Sequence, residues 1–121
     1  MQLTKNFNIN EFACKDGTAV PTELVANAIE LAANLQALRN ELGKPIIINS
    51  AYRSPTHNAL VGGSPNSQHL LCKAADLRTD TPRQLAETIF RLIAAGKMKE
   101  GGVGVYSTFV HYDIRGTKAR W

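Results

Sequence analysis

No apolar run in the 121 residues approaches the about 20 that a membrane helix requires, so no membrane span is expected. The stretch Met1 to Phe12 is polar and lacks the charged start and hydrophobic run of a secretory leader, so the chain is expected to be soluble as synthesised. Only two cysteines occur, Cys14 and Cys72, which excludes a disulfide-dense scaffold, and neither belongs to a C-x-x-C pair. Two separate thiols are expected. A basic stripe is also missing: 14 Lys and Arg against 10 Asp and Glu leave a scattered net charge of +4. With no nucleic-acid motif beside it, that excess implies no nucleic-acid partner. Hydrophobic residues at 44% and charged residues at 20% are those of an ordinary globular chain, and the length suits one domain over residues 1–121, expected to be a monomer.

Hydrophobic spacing sets out the elements. Leu24, Ala28, Leu31, Leu35, Leu38 and Leu42 recur three or four apart, which predicts an amphipathic helix with Pro21 in its first turn and Gly43 at its stop. Pro45 to Ser50 is short and β-branched, and reads as a buried strand that delivers Tyr52 and Arg53. From Ser54 to Asn66, prolines and glycines predict a functional loop with one helical turn around Thr56 to Val61. A strand is expected over Ala74 to Arg78. Thr81, Pro82 and Gln84 then match a cap, a first-turn proline and a capping-box partner for a helix through Leu85, Ile89, Leu92 and Ile93 to Gly96.

The last third predicts two antiparallel strands, Gly101 to Tyr106 and Phe109 to Ile114. Alternation places Val110, Tyr112 and Ile114 on one face and Phe109, His111 and Asp113 on the other. Helices and strands without regular βαβ alternation predict an α+β fold, a small antiparallel sheet flanked by helices.

Three histidines, four aspartates and six glutamates are few enough to weigh one by one. His69 ends a polar loop, Asp76 interrupts the small and apolar run Ala74-Ala75-Asp76-Leu77, and His111 sits between Val110 and Tyr112. Two imidazoles and a carboxylate suit a catalytic zinc with one open position. The same residues also suit hydrogen-bonded strand positions and a turn cap.

The segment Ser67-Gln68-His69-Leu70-Leu71-Cys72-Lys73-Ala74-Ala75-Asp76 resembles the S-x-H-x-x-G-x-A-x-D signature of zinc D,D-carboxypeptidases and related peptidoglycan peptidases, whose fold is shared with the hedgehog signalling domain. Ser50-Ala51-Tyr52-Arg53-Ser54-Pro55 upstream continues the likeness. So do Gly102-Val103-Gly104-Val105-Tyr106 and Phe109-Val110-His111-Tyr112-Asp113 downstream, and it runs from about Phe7 to Trp121. The resemblance implies one Zn²⁺ held by His69, Asp76 and His111, with Arg53 binding the substrate peptide. A guanidinium grips a carboxylate or carbonyl through two hydrogen bonds, which a lysine cannot do. Ser67 and Gln68 are expected to support the ligand loop or bind substrate.

Two positions depart from the pattern. Cys72 replaces the signature glycine, as a small buried hydrophobe or a further zinc ligand. Thr108 stands three residues before His111, where several branches place an acidic general base. Asp113 is the candidate to replace it as catalytic base, or else a carboxylate that orients a ligand. Cys14 is expected to pack, His57 to be a helical-turn or surface residue, and Trp121 to pack or to line a binding site.

The resemblance implies a zinc metallopeptidase acting on peptidoglycan stem peptides, either a D,D-carboxypeptidase or a wall-lytic endopeptidase. The alternative is a zinc-containing cell-wall-binding module without catalysis. With no leader seen, the chain is expected to be cytoplasmic as synthesised and to reach the wall on release, as a phage endolysin does.

Overall fold

The computed structural model describes residues 1–121. Asn8 begins a short 3-10 turn, Ile9–Phe12, with a reciprocal cap: its Oδ1 accepts the Asn10 N–H at 3.0 Å, and Glu11 Oε2 accepts the Asn8 N–H at 2.8 Å. That turn drops Phe7 and Phe12 into the core, edge to face at 6.3 Å. A second 3-10 turn, Thr22–Leu24, leads into helix α1, Val25–Leu42. Pro21 therefore lies one turn ahead of the α-helix rather than inside its first turn, in an extended conformation. Ala28, Leu31, Ala32, Leu35 and Leu38 form the buried stripe. Gly43 ends the helix in the left-handed region, φ 66°, and donates its N–H to the Arg39 carbonyl at 3.0 Å.

Strand β1, Ile47–Ser50, starts two residues later than Pro45 and is an edge strand, not a buried one: Ile48 enters the core while Ile47 is 55% exposed. The continuous apolar run misled because a sheet edge gives only one face to the core. Helix α2, Pro55–Leu60, is capped by Ser54, whose Oγ accepts the His57 N–H at 3.2 Å. A 3-10 turn, Gln68–Leu71, precedes strand β2, Ala74–Arg78. Helix α3 runs Pro82–Ala94 and buries Leu85, Ala86, Ile89 and Leu92. Its expected capping box does not form. Thr81 occupies the cap position, but its side chain makes no cap bond, and its N–H donates to Thr79 Oγ1 at 3.0 Å.

Strands β3, Gly102–Val105, and β4, Phe109–Asp113, pair antiparallel as expected. A fifth strand, β5, Ala119–Arg120, was missed, and it runs parallel to β3. The sheet, ordered β1-β2-β4-β3-β5, is thus mixed where an antiparallel one was expected, and the fold is α+β. Two residues leave too little pattern for a strand to be read. Helices α1 and α3 pack together and α3 lies on β3 and β4, so that Ala75, Leu77, Val103, Val110 and Tyr112 face one continuous core of 23 buried residues. The opposite sheet face carries Asp76 and His111, paired directly across β2 and β4.

Candidate metal centre

Alternation on β4 separates two functions. Val110, Tyr112 and Ile114 are buried in the core, and the Tyr112 hydroxyl donates to the Lys99 carbonyl at 2.7 Å. His111 and Asp113 turn to the other face, where Asp76 of β2 is the register partner of His111. The third group, His69, comes from the 3-10 turn before β2. Ser67 Oγ caps that turn by accepting the His69 N–H at 3.1 Å, and in this way supports the loop that carries His69. Gln68 contributes its carbonyl, which accepts the Lys73 N–H at 3.1 Å.

His69 Nε2 lies 3.3 Å and His111 Nδ1 3.2 Å from the same Asp76 Oδ1. All three residues are buried, and the imidazole rings meet edge to face at 5.3 Å. The far nitrogen of each ring is committed as a donor: His69 Nδ1–H to the Ala51 carbonyl at 2.7 Å, His111 Nε2–H to Asp113 Oδ2 at 2.7 Å. The near nitrogens therefore present lone pairs, and they present them to a carboxylate oxygen. Three acceptors converge with no donor among them, an arrangement that only a proton or a cation satisfies. Spacings of 3.2 and 3.3 Å also match the edge of a tetrahedron, about 3.3 Å, whose bonds have the zinc–nitrogen length of about 2.0–2.1 Å. His69, Asp76 and His111 thus fit a zinc ion in both donor chemistry and spacing.

The surrounding charges agree. Burial disfavours an ionised Asp76, but with a proton in the place of a cation between Oδ1 and the rings, His111 and His69 outweigh that and hold the carboxyl well below the usual range. Burial likewise opposes a charged His111, while the Asp113 and Asp76 carboxylates prevail and raise its pKa above the ordinary value. Arg53 takes the second Asp76 oxygen, with Nη2 at 3.3 Å from Oδ2. Its Nε donates to Ser50 Oγ at 3.2 Å and its Nη1 to Asn58 Oδ1 at 3.4 Å. A bulge at Asn49 shifts the β1 register and sets Ser50 opposite Asp76, within reach of that guanidinium.

Asp113 does not fit the base role expected of it. It is fully buried, and its two oxygens accept five hydrogen bonds: one from His111, one from the Gly102 N–H, and three from Arg115. Burial works against the carboxylate, but the His111 and Arg115 bonds hold its pKa well below the usual range. A group so engaged lacks both a free lone pair and the basicity to take a proton near neutrality. Its contacts are those of a carboxylate that orients His111. Thr108 is exposed just ahead of β4, and its carbonyl accepts the Thr79 N–H at 3.1 Å. Cys72 is fully buried, and burial alone pushes its thiol up to about 12, so it packs beside the centre rather than serving as a thiolate ligand.

Three participants had little or no signal in the sequence. Trp121 is half exposed, and its indole lies 5.0 Å from the His111 ring, with Nε1 donating to the Tyr106 hydroxyl at 2.7 Å. Tyr106 stacks in turn on Phe109 at 4.4 Å, completing an aromatic wall beside the centre. Arg115 clamps Asp113 and places its guanidinium 5.5 Å from the Trp121 ring centre. The spaced glycines of β3 were the available clue. A Cβ at Gly102 would strike Asp113, and one at Gly104 would strike the Trp121 indole.

An α+β fold that gathers two imidazole nitrogens and a carboxylate oxygen in this way offers a zinc ion three ligands and leaves a fourth position open. The chain belongs to the peptidase M15 family, whose model matches residues 5–113. It is similar to the zinc D-Ala-D-Ala carboxypeptidase of Streptomyces albus G, with 49% identity over 53 residues that cover 43% of this chain and 21% of that protein. The chain thus spans about a fifth of the length of that curated relative.

Proposed function

We propose that the chain is a zinc metallopeptidase that hydrolyses a peptide bond in peptidoglycan stem peptides. The observation that carries this reading is the convergence of His69 Nε2, Asp76 Oδ1 and His111 Nδ1 with both far nitrogens already committed. The substrate class rests on likeness to a protein named for cleaving D-Ala-D-Ala. His69, Asp76 and His111 hold the ion. The chemistry that zinc supplies when bound is Lewis acidity toward a carbonyl and a lowered pKa of water. The Ala51 carbonyl and Asp113 keep the two rings turned inward. Arg53, anchored between Ser50, Asn58 and Asp76, orients the peptide through a carboxylate or carbonyl. Trp121 and Tyr106 wall one side and limit water.

Asp113, the carboxylate that shares this face with His111, is fully engaged, and Thr108 offers no basic group. Base assistance is typically worth about 10² to 10⁴ in rate, so turnover is slower than in a centre that has one by up to that factor. The same observation favours a second reading, a zinc-containing wall-binding module without hydrolysis. Mass spectrometry of defined muropeptides incubated with the zinc-loaded chain separates the two. A released amino acid or cleaved stem, abolished by chelation and by His69→Ala, supports the peptidase. Binding of the muropeptide with no product under the same conditions supports the module.

A further inference from the structure

A second cluster of ligating side chains lies outside the centre described above. Cys14, Asp16 and His57 bring a sulfur, a carboxylate oxygen and an imidazole nitrogen to within 4.8 Å of one another. The first two come from the turn after Phe12, in which the Cys14 N–H donates to the Thr18 carbonyl at 2.9 Å, while His57 lies in the first turn of α2. Nothing in the peptidase reading uses any of them.

Ser54 organises all three. Its N–H donates to Cys14 Sγ at 3.4 Å, its hydroxyl donates to Asp16 Oδ2 at 2.6 Å, and its Oγ accepts the His57 N–H at 3.2 Å. An amide N–H aimed at sulfur and a hydroxyl on a carboxylate fix the orientation of both groups, as the outer contacts of metal ligands do. Hydrogen bonds from Ser54 and then Thr18 hold the Asp16 carboxyl well below the usual range, so it is ionised at neutral pH. Cys14 is buried, His57 half-buried and Asp16 exposed, which leaves the cluster closed on the core side and open to solvent on the other.

We propose that Cys14, Asp16 and His57 form a second divalent-cation site, of the zinc class, that ties the N-terminal segment to the start of α2. Sulfur and imidazole nitrogen are soft to borderline donors. They select zinc, cobalt or cadmium over calcium and magnesium, which take oxygen ligands. Three protein donors also leave a fourth position for water, so the ion need not displace any part of the fold. Ser54, the hub of the site, directly follows Arg53, whose guanidinium touches Asp76. An ion bound here braces the residue next to that arginine. The proposal does not depend on the peptidase reading, because its readout is specific to sulfur.

Cobalt(II) titration of the reduced, metal-free full chain tests it. The expected result is two bound equivalents, one accompanied by a thiolate-to-cobalt charge-transfer band in the near ultraviolet. Cys14→Ser removes the band and one equivalent, and Cys72→Ala retains both. His57→Ala weakens the band-forming equivalent by about 10-fold or more while leaving the other in place. Because His57 is only half-buried, this variant keeps the test decisive even if Cys14→Ser fails to fold. A single equivalent with no thiolate band in the full chain overturns the proposal. So does a band unaffected by His57→Ala, or one that disappears only with Cys72→Ala.

Discussion

His111 donates its Nε2–H to Asp113 across 2.7 Å, and Asp113 is held for that task by Arg115 and the Gly102 amide. The two residues share a face of β4 because they are two apart in sequence. The lone pair that His111 turns toward Asp76 exists because Asp113 fixes the proton on the other nitrogen. Asp113→Asn keeps the shape but removes the charge that stabilises this arrangement. The expected outcome is a zinc affinity about 10- to 100-fold weaker, the usual cost of losing a ligand's supporting partner. Competition against a chelator checks this. Undiminished affinity with a turnover loss of about 10² to 10⁴ would instead return Asp113 to the role of base.

The aromatic wall gives a second test through the only tryptophan in the chain. Trp121 rests on Gly104, the register partner of His111, and there is no room for a methyl group between them. Gly104→Ala is therefore expected to push the indole into water and break its bond to the Tyr106 hydroxyl, at a stability cost of about 1–3 kcal/mol. A red-shifted emission is the signature. Emission identical to that of the parent chain would show that Trp121 does not sit where its contact with His111 requires.

Much of this centre was legible because its parts are local or periodic. His69 and Asp76 lie seven residues apart in one segment, and strand alternation alone places His111 with Asp113 and away from Tyr112. What was not legible depends on distant partners. Whether Asp113 is a free base or an engaged anchor is settled by Arg115 and the Gly102 amide, neither of which carries a pattern before the sheet forms. Pro45 to Ile48 read as buried because apolar content does not reveal whether a strand lies at an edge. Trp121 reaches the site only through β5, a pairing too short to read.

Cys72 allows a prediction in which the usual order of two substitutions is reversed. It is the one non-glycine residue with positive φ, 56°, at the end of the turn that carries His69, where the resembled signature has glycine. A side chain in that region costs about 1–2 kcal/mol, which glycine escapes. Cys72→Ala and Cys72→Gly both empty the space of the sulfur and differ only in Cβ, so their difference sets relief of the left-handed backbone against loss of one buried methyl. The glycine variant is expected to be the more stable by about 1 kcal/mol, although glycine in regular structure is the weaker choice by about 0.5–1 kcal/mol. Urea denaturation of the pair checks the sign.

Arg53 touches Asp76, and under the proposed function it also binds the peptide, two duties that can be separated. One edge of the guanidinium supports Asp76 Oδ2 at 3.3 Å and one N–H each goes to Ser50 and Asn58, so part of the five-donor fork stays free for a peptide on a side chain that is 17% exposed. Arg53→Lys preserves charge but loses the planar fork, so it cannot hold Asp76 and a peptide carboxylate together. A modest loss of zinc affinity is expected from the first duty. The second shows in the choice of substrate. If Arg53 reads a terminal carboxylate, the variant loses about 1.5–3 kcal/mol of binding, roughly 10- to 150-fold, for peptides with a free C-terminus. C-terminally amidated peptides lose far less. Comparing kcat/KM for free and amidated forms of one stem peptide at saturating zinc removes the metal contribution from the ratio. A selective loss for the free form marks Arg53 as the reader of a terminal carboxylate and the activity as that of a carboxypeptidase. An equal loss for both places Arg53 on an internal carbonyl, the arrangement an endopeptidase needs, and no loss for either leaves it as a support for Asp76 alone.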